Sequence, residues 1–206
     1  ARTLTGWDGE GVRLTPMQVG MVDLLATASD RVSMSDAWRA RIAPLRDGSA
    51  DTGLAPIASL SAILRPYQRR GHAWLTARMS GGIGGILADD MGLGKTVQIL
   101  SAVAAVRAHK GGDANAPVLV VAPTSVVGVW VEQARQFTPQ LRVRTVTETA
   151  TRRGTTIAQE AANADIIVTS YTLVRLEAQQ WSQVRLGGVV IDEAQAVKNP
   201  RTATYR

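Results

Sequence analysis

The string Asp89-Asp90-Met91-Gly92-Leu93-Gly94-Lys95-Thr96 constrains this chain more than any other feature, because of what flanks it. An apolar run, Ile83 to Ala88, precedes it, and Val97, Leu100, Val103 and Ala104 follow at helical spacing. Two glycines one residue apart break any regular element, so the pattern predicts a strand, a tight turn and then a helix. In that arrangement Gly92 and Gly94 let backbone N–H groups point inward, and the helix start adds the positive end of its dipole. Lys95 extends over the same concavity, and Thr96 offers a hydroxyl to a magnesium ion. The residues from Asp90 through Met91, Gly92, Leu93, Gly94, Lys95 and Thr96 therefore form a candidate cradle for phosphate oxygens. The general pattern G-x-x-x-x-G-K-[ST] wants glycine where Asp89 stands, so on spacing alone the match is incomplete.

Further apolar runs follow at Val118–Ala122, Ile166–Thr169 and Val189–Ile191, separated by longer segments. That rhythm predicts a parallel sheet with crossover helices, an α/β domain whose ligands sit beyond the carboxyl ends of the strands. The last run, from Gly188, ends in Asp192-Glu193. Two adjacent acids at a buried strand end are costly unless used. Paired with a phosphate loop, Asp192 suits a magnesium ion bridging phosphates, and Glu193 suits the orientation and deprotonation of an attacking water. Lys95, Asp192 and Glu193 are the candidate catalytic residues, and Thr96 with Asp192 the candidate metal ligands.

The net charge of +6 divides unevenly. Residues 1–60 hold six Lys or Arg against seven Asp or Glu, whereas residues 61–206 hold seventeen against ten. A basic second segment attracts phosphate backbones or simply stays soluble, and charge alone does not choose. The absence of cysteine leaves neither a disulfide framework nor a thiolate metal site. No signal-peptide pattern opens the sequence, and no apolar run approaches the length of a membrane span. Twenty of the twenty-three basic residues are arginine and alanine is abundant, a composition that suits a GC-rich bacterial genome. The expectation is a cytoplasmic bacterial protein with no membrane role.

Within residues 1–60, Thr15-Pro16-Met17-Gln18 reads as a capping box opening a short helix, and Ser33 to Ile42 as a second helix. Arg46 to Gly53 reads as a linker. Trp7 and Trp38 read as core anchors. His72 and His109 have no partners at metal-ligand spacing and receive no function. Arg152-Arg153 reads as a solvated polar loop, with phosphate contact as the lesser alternative.

Asp192-Glu193-Ala194-Gln195 followed by Lys198-Asn199 resembles motif II of the Swi/Snf-type ATPases of helicase superfamily two. That family characteristically carries an acidic pair before Met-Gly-x-Gly-Lys-Thr, so the resemblance accounts for Asp89. Leu64-Arg65-Pro66-Tyr67-Gln68, with Gly71, Trp74 and Leu75, looks like its adenine-recognition segment, which would make Gln68 the reader of the adenine edge. Val120-Val121-Ala122-Pro123-Thr124-Ser125, leading to Trp130, looks like motif Ia, and Val168-Thr169-Ser170-Tyr171 like the segment that follows it. By resemblance, Pro123, Thr124, Ser125, Trp130, Thr169, Ser170 and Tyr171 are candidate contacts to a DNA backbone. Such contacts grip phosphates without reading bases, as a motor stepping along any sequence requires.

The resemblance covers about Leu64 to Arg206 and implies a RecA-like P-loop lobe over residues 61–206, preceded by a small helical accessory segment and linker over residues 1–60. It implies ATP and Mg2+ as ligands. It also implies duplex DNA as track and a second RecA-like lobe that completes the site with arginines, so the chain alone is expected to bind nucleotide and hydrolyse it poorly. On DNA the protein would be nucleoid-associated. Two other readings are weighed against an ATP-dependent duplex translocase. A DEAH-type RNA helicase is disfavoured by Lys198-Asn199 and Tyr67-Gln68, and a binding module with a vestigial site by the joint presence of Lys95, Thr96, Asp192 and Glu193.

Overall fold

The structure is a computed structural model and describes residues 54–61, 63–82, 84–109 and 116–197. The helices expected from Thr15 and Ser33, the linker, Trp7, Trp38 and Lys198-Asn199 lie outside the described residues.

Four parallel strands form the centre: β1 (Val118–Ala122), β2 (Val143–Val146), β3 (Ile166–Ser170) and β4 (Gly188–Ile191), in the order β2-β3-β1-β4. Parallel neighbours require crossovers, and the helices supply them. Helices α1 (Ala58–Ser61), α2 (Pro66–Gly81) and α3 (Lys95–His109) precede the sheet, α4 (Thr124–Phe137) joins β1 to β2, and α5 (Ala150–Arg153) and α6 (Ile157–Ala162) join β2 to β3. Helices α7 (Tyr171–Leu176) and α8 (Ala178–Ser182) lead to β4, which a 3-10 turn at Ala194–Val197 follows. This is the α/β architecture expected, a sheet covered by helices.

β1 and β3 are buried along their whole length, and their side chains alternate between two cores. Val118, Val120, Ala122, Ile166 and Val168 meet Leu100 and Val103 of α3 and Val127, Trp130 and Ala134 of α4. Leu119, Val121 and Ile167 face the other way, onto Ile157 of α6, Leu173 of α7 and Trp181 of α8. Each large side chain so buried contributes roughly 1.5–3 kcal/mol, enough over two faces to set the strand register. β2 had no counterpart among the expected strands, because Arg144 and Thr145 face solvent and the apolar signal is thin.

The strand expected at Ile83–Ala88 does not form. Residues 84–90 run without regular structure, Ile86 is 87% exposed, and residue 83 lies outside the described residues. A strand needs a hydrogen-bonded neighbour, and none of the described strands flanks this segment. β4 itself is an edge, with Val189 55% and Ile191 51% exposed.

Residues just before position 61 belong to the packed body. Leu60 is buried with Leu64 and Val97 of α3, beside the partly buried Ile57 and Phe137. His72 ties this stretch down: its Nε2 donates to Leu54 O at 2.8 Å, and its Nδ1 accepts from Ser101 Oγ at 2.9 Å. Burial holds the His72 pKa below its ordinary value, although the bond to Leu54 acts in the opposite direction. This histidine is a structural bolt. No helix of the described residues is long and apolar enough to cross a membrane.

Candidate functional site

The phosphate loop closes on its own lysine. Lys95, first residue of α3, donates from Nζ to Asp89 O at 2.7 Å and to Asp90 O at 3.0 Å, so the ammonium lies against carbonyls of the loop. Gly92 and Gly94 have φ of 82° and 73°, the left-handed region that glycine enters without strain. At Gly94 a side chain is doubly excluded, since a Cβ there would lie 2.6 Å from Gln68 Nε2. Around Gly92 a Cβ would meet nothing within 4 Å, so that side of the loop is open. The first N–H groups of α3 have no partners within the helix and carry its positive dipole end.

Asp89 proves to be structural. Its Oδ2 accepts from Nε2 of Gln98, a fully buried residue of α3, at 2.9 Å, which ties the entry of the loop to the helix that leaves it. Gly71 makes room for this contact, because a Cβ there would lie 1.8 Å from Gln98 Oε1. Gln98 carried no signal in the sequence beyond its place in a helix.

Gln68 and Tyr67, at the start of α2, reach the same loop. Gln68 Nε2 and Tyr67 Oη both donate to Leu93 O, each at 3.2 Å. Gln68 Oε1 accepts from Arg65 N at 3.0 Å, capping α2. Both ends of the Gln68 amide are engaged, so this residue positions the phosphate loop, and reading an adenine edge would require an exchange of partners.

At the carboxyl end of β4, three neighbouring elements hold Asp192. Its N–H donates to Val121 O of β1 at 2.9 Å, its carbonyl accepts from Tyr171 Oη of α7 at 2.5 Å, and its Oδ2 accepts from Trp130 Nε1 of α4 at 2.8 Å. Glu193 follows at φ 52°, a left-handed conformation costing a non-glycine residue about 1–3 kcal/mol, and accepts from Gln195 Nε2. Such a turn re-aims the second carboxylate at the strand end. Burial, then the carboxylates of Asp192 and Glu193, push the Tyr171 phenol above its ordinary pKa, so the hydroxyl stays a donor.

The residues expected at a DNA backbone separate into two groups. Thr124 and Ser125 are exposed on the first turn of α4, after Pro123 as its N-cap. Trp130 is 1% exposed within the core, so its side chain presents no surface to DNA. Thr169 is fully buried and donates to Val146 O at 2.8 Å, and Ser170 caps α7 by accepting from Leu173 N. Tyr171 is partly buried against Asp192. Helical spacing in the sequence could not reveal which face each side chain takes.

Arg153 also departs from expectation. It pairs with buried Glu177 at 3.3 Å and donates to Thr155 O at 3.0 Å, while Glu177 accepts from Ala150 N. It is a half-buried staple, whereas Arg152 beside it is exposed.

These residues suit a nucleotide carrying its own magnesium. Among the described residues no group of three His, Cys, Asp or Glu could cage a metal. A magnesium bound through one carboxylate, one hydroxyl and phosphate oxygens needs no such cage, and Thr96 and Asp192 are the donors of that kind. Asp192 Oδ1 accepts no protein donor among the described residues, which leaves it available.

Comparison with known proteins decides the family. Residues 67–206 match the SNF2-related domain. This chain belongs to the SNF2-related family. YwqA of Bacillus subtilis strain 168, named as an ATP-dependent helicase/translocase, is 34% identical over 188 residues, covering 90% of this chain and 20% of YwqA. The TATA-binding protein-associated factor mot1 of Aspergillus fumigatus is 31% identical over 200 residues, covering 92% of this chain and 10% of mot1. Among solved structures, the Sulfolobus solfataricus SWI2/SNF2 ATPase core in complex with dsDNA superposes with a TM-score of 0.60 at 37% identity, covering 69% of this chain and 28% of that one. The fold is thus the RecA-like lobe of an SNF2 ATPase core. The chain spans a fifth or less of the length of these curated relatives.

Proposed function

We propose that this chain is the ATP-binding lobe of an ATP-dependent duplex DNA translocase. The observation that carries the reading is the glycine loop folded onto Lys95, whose ammonium rests on two loop carbonyls that phosphate oxygens would replace. Gly92, Gly94 and the first turn of α3 would receive the β- and γ-phosphates through backbone N–H groups. Thr96 and Asp192 would hold Mg2+, which when bound neutralises charge on those phosphates. Glu193 would orient a water and take its proton as the water oxygen attacks the γ-phosphorus and ADP leaves.

The SWI2/SNF2 core whose structure this lobe resembles was solved on duplex DNA, and the charge of residues 61–206 suits the same partner. Thr124 and Ser125, exposed beside the N-terminus of α4, are the residues placed to grip a phosphate backbone. Trp130 and Thr169 do not belong to that surface. In arginine-finger enzymes the transition-state charge is met by an arginine worth orders of magnitude in rate, and here a second RecA-like lobe would supply it. The isolated chain accordingly binds nucleotide and turns it over slowly.

Hydrolysis by the intact protein, measured with duplex DNA, single-stranded RNA or no nucleic acid, tests this. Stimulation by duplex DNA that is lost in Lys95→Ala supports the translocase. Stimulation by RNA alone moves the protein to the RNA helicases, and no hydrolysis under any condition leaves a binding module.

A further inference from the structure

Asp192 is held at every polar atom but one. Its N–H is fixed by β1, its carbonyl by the Tyr171 hydroxyl of α7, and its Oδ2 by the Trp130 indole of α4, so that Oδ1 alone has no donor among the described residues. Trp130 is anchored in the core, and turning the carboxylate away would orphan its N–H. The carboxylate is therefore held in one orientation before any ligand arrives.

We propose that Trp130 and Tyr171 form a two-point brace on Asp192, positioning residues that present a single carboxylate oxygen to the nucleotide's divalent cation. This rests on the reading of Asp192 as the carboxylate that meets magnesium. Trp130 fixes the side chain, whereas Tyr171 fixes the peptide beneath it and the entry to the left-handed Glu193. The indole thus governs carboxylate orientation directly, and the phenol does so at one remove. Neither touches substrate.

The test compares ATP affinity of the chain in Mg2+ with its affinity in EDTA, the ratio being the gain due to metal. Trp130 is replaced by its benzothiophene analogue, in which sulfur takes the place of the N–H and core volume is kept, and Tyr171 by phenylalanine (Tyr171→Phe). The gain is expected to fall about 10-fold or more for the Trp130 analogue, as for other partners that orient a metal ligand. For Tyr171→Phe the expected fall is about 3-fold, the worth of one neutral hydrogen bond. ATP affinity in EDTA should stay at the wild-type value and the melting temperature should fall by no more than the few degrees one hydrogen bond is worth, whereas a merely structural role would weaken ATP binding in EDTA and in Mg2+ alike. Asp192→Asn, the reference, should abolish the gain. If Asp192→Asn abolishes it while both brace variants keep the wild-type gain, the brace is overturned and the nucleotide site stands. If Asp192→Asn itself keeps the gain, the magnesium reading of Asp192 falls, and the brace with it.

Discussion

The two sides of the sheet differ in a way that separates stability from chemistry. On one side, β1 and β3 lie fully buried between two layers of helices, and their hydrogen bonds run to strands on both edges. By contrast, β4 is an edge with alternate residues in solvent, and residues 84–90, leading into the phosphate loop, run without a strand partner. The candidate chemistry, at Lys95 and at Asp192-Glu193, follows these two open segments in the chain. A phosphate site must admit a ligand and release it, so its residues are held by hydrogen bonds instead of being packed away. The closed side supplies the rigid frame from which Trp130 and Tyr171 reach Asp192.

The largest expected effect probes the closed side. Ile167→Ala removes a fully buried side chain from the centre of β3, and should destabilise the fold by about 2–5 kcal/mol in urea titration. A loss below about 1 kcal/mol would mean that β3 is not the closed centre described.

A smaller effect is expected where that side is pinned at its amino end. Asp165, just before β3, accepts from Arg142 at 2.7 Å and 3.0 Å and pairs with Arg107 at 2.5 Å. Burial alone would raise its pKa, but the hydrogen bonds from Arg142 and the charges of Arg107 and Arg142 outweigh it, and the net direction is down. A carboxyl depressed in the folded state stabilises fully above its unfolded pKa of about 4, and that contribution is lost as the pH falls through the lower folded value. The melting temperature should therefore decline below about pH 4, and Asp165→Asn should flatten that acid limb. Arg142 is 58% exposed, so solvent screens part of the interaction and the effect stays below that of Ile167→Ala. An unchanged acid limb in Asp165→Asn would remove this cluster from the account of the closed side.

Much of this division is legible in the sequence. Continuous apolar runs mark β1 and β3, because these strands are covered on both faces, and an apolar run also marks β4 although alternate residues there face solvent. The phosphate loop and Asp192-Glu193 declare themselves by residue type and by position after apolar runs. What escapes is partnership. An apolar run such as Ile83–Ala88 does not say whether a neighbour is at hand to pair with it. Nor do Trp130 and Thr169 reveal in one dimension that they turn inward, since a tryptophan two turns into a helix serves a surface or a core equally well. Asp165 and Glu177 look like ordinary polar residues until the fold brings their partners from distant segments, and Gln98 does so until the loop turns back to set Asp89 beside it.

Lys95→Ala gives the sharpest contrast between the two sides. Calorimetry of ATP with Mg2+, on the wild-type chain and on Lys95→Ala, should show binding that the substitution removes. Lys95 is partly exposed and its two hydrogen bonds tie only the loop, so the melting curve should move by no more than about 1 kcal/mol equivalent. Binding lost with stability kept would place the nucleotide on the open side of the sheet. Equal binding by both proteins, or none by either, would contradict the account.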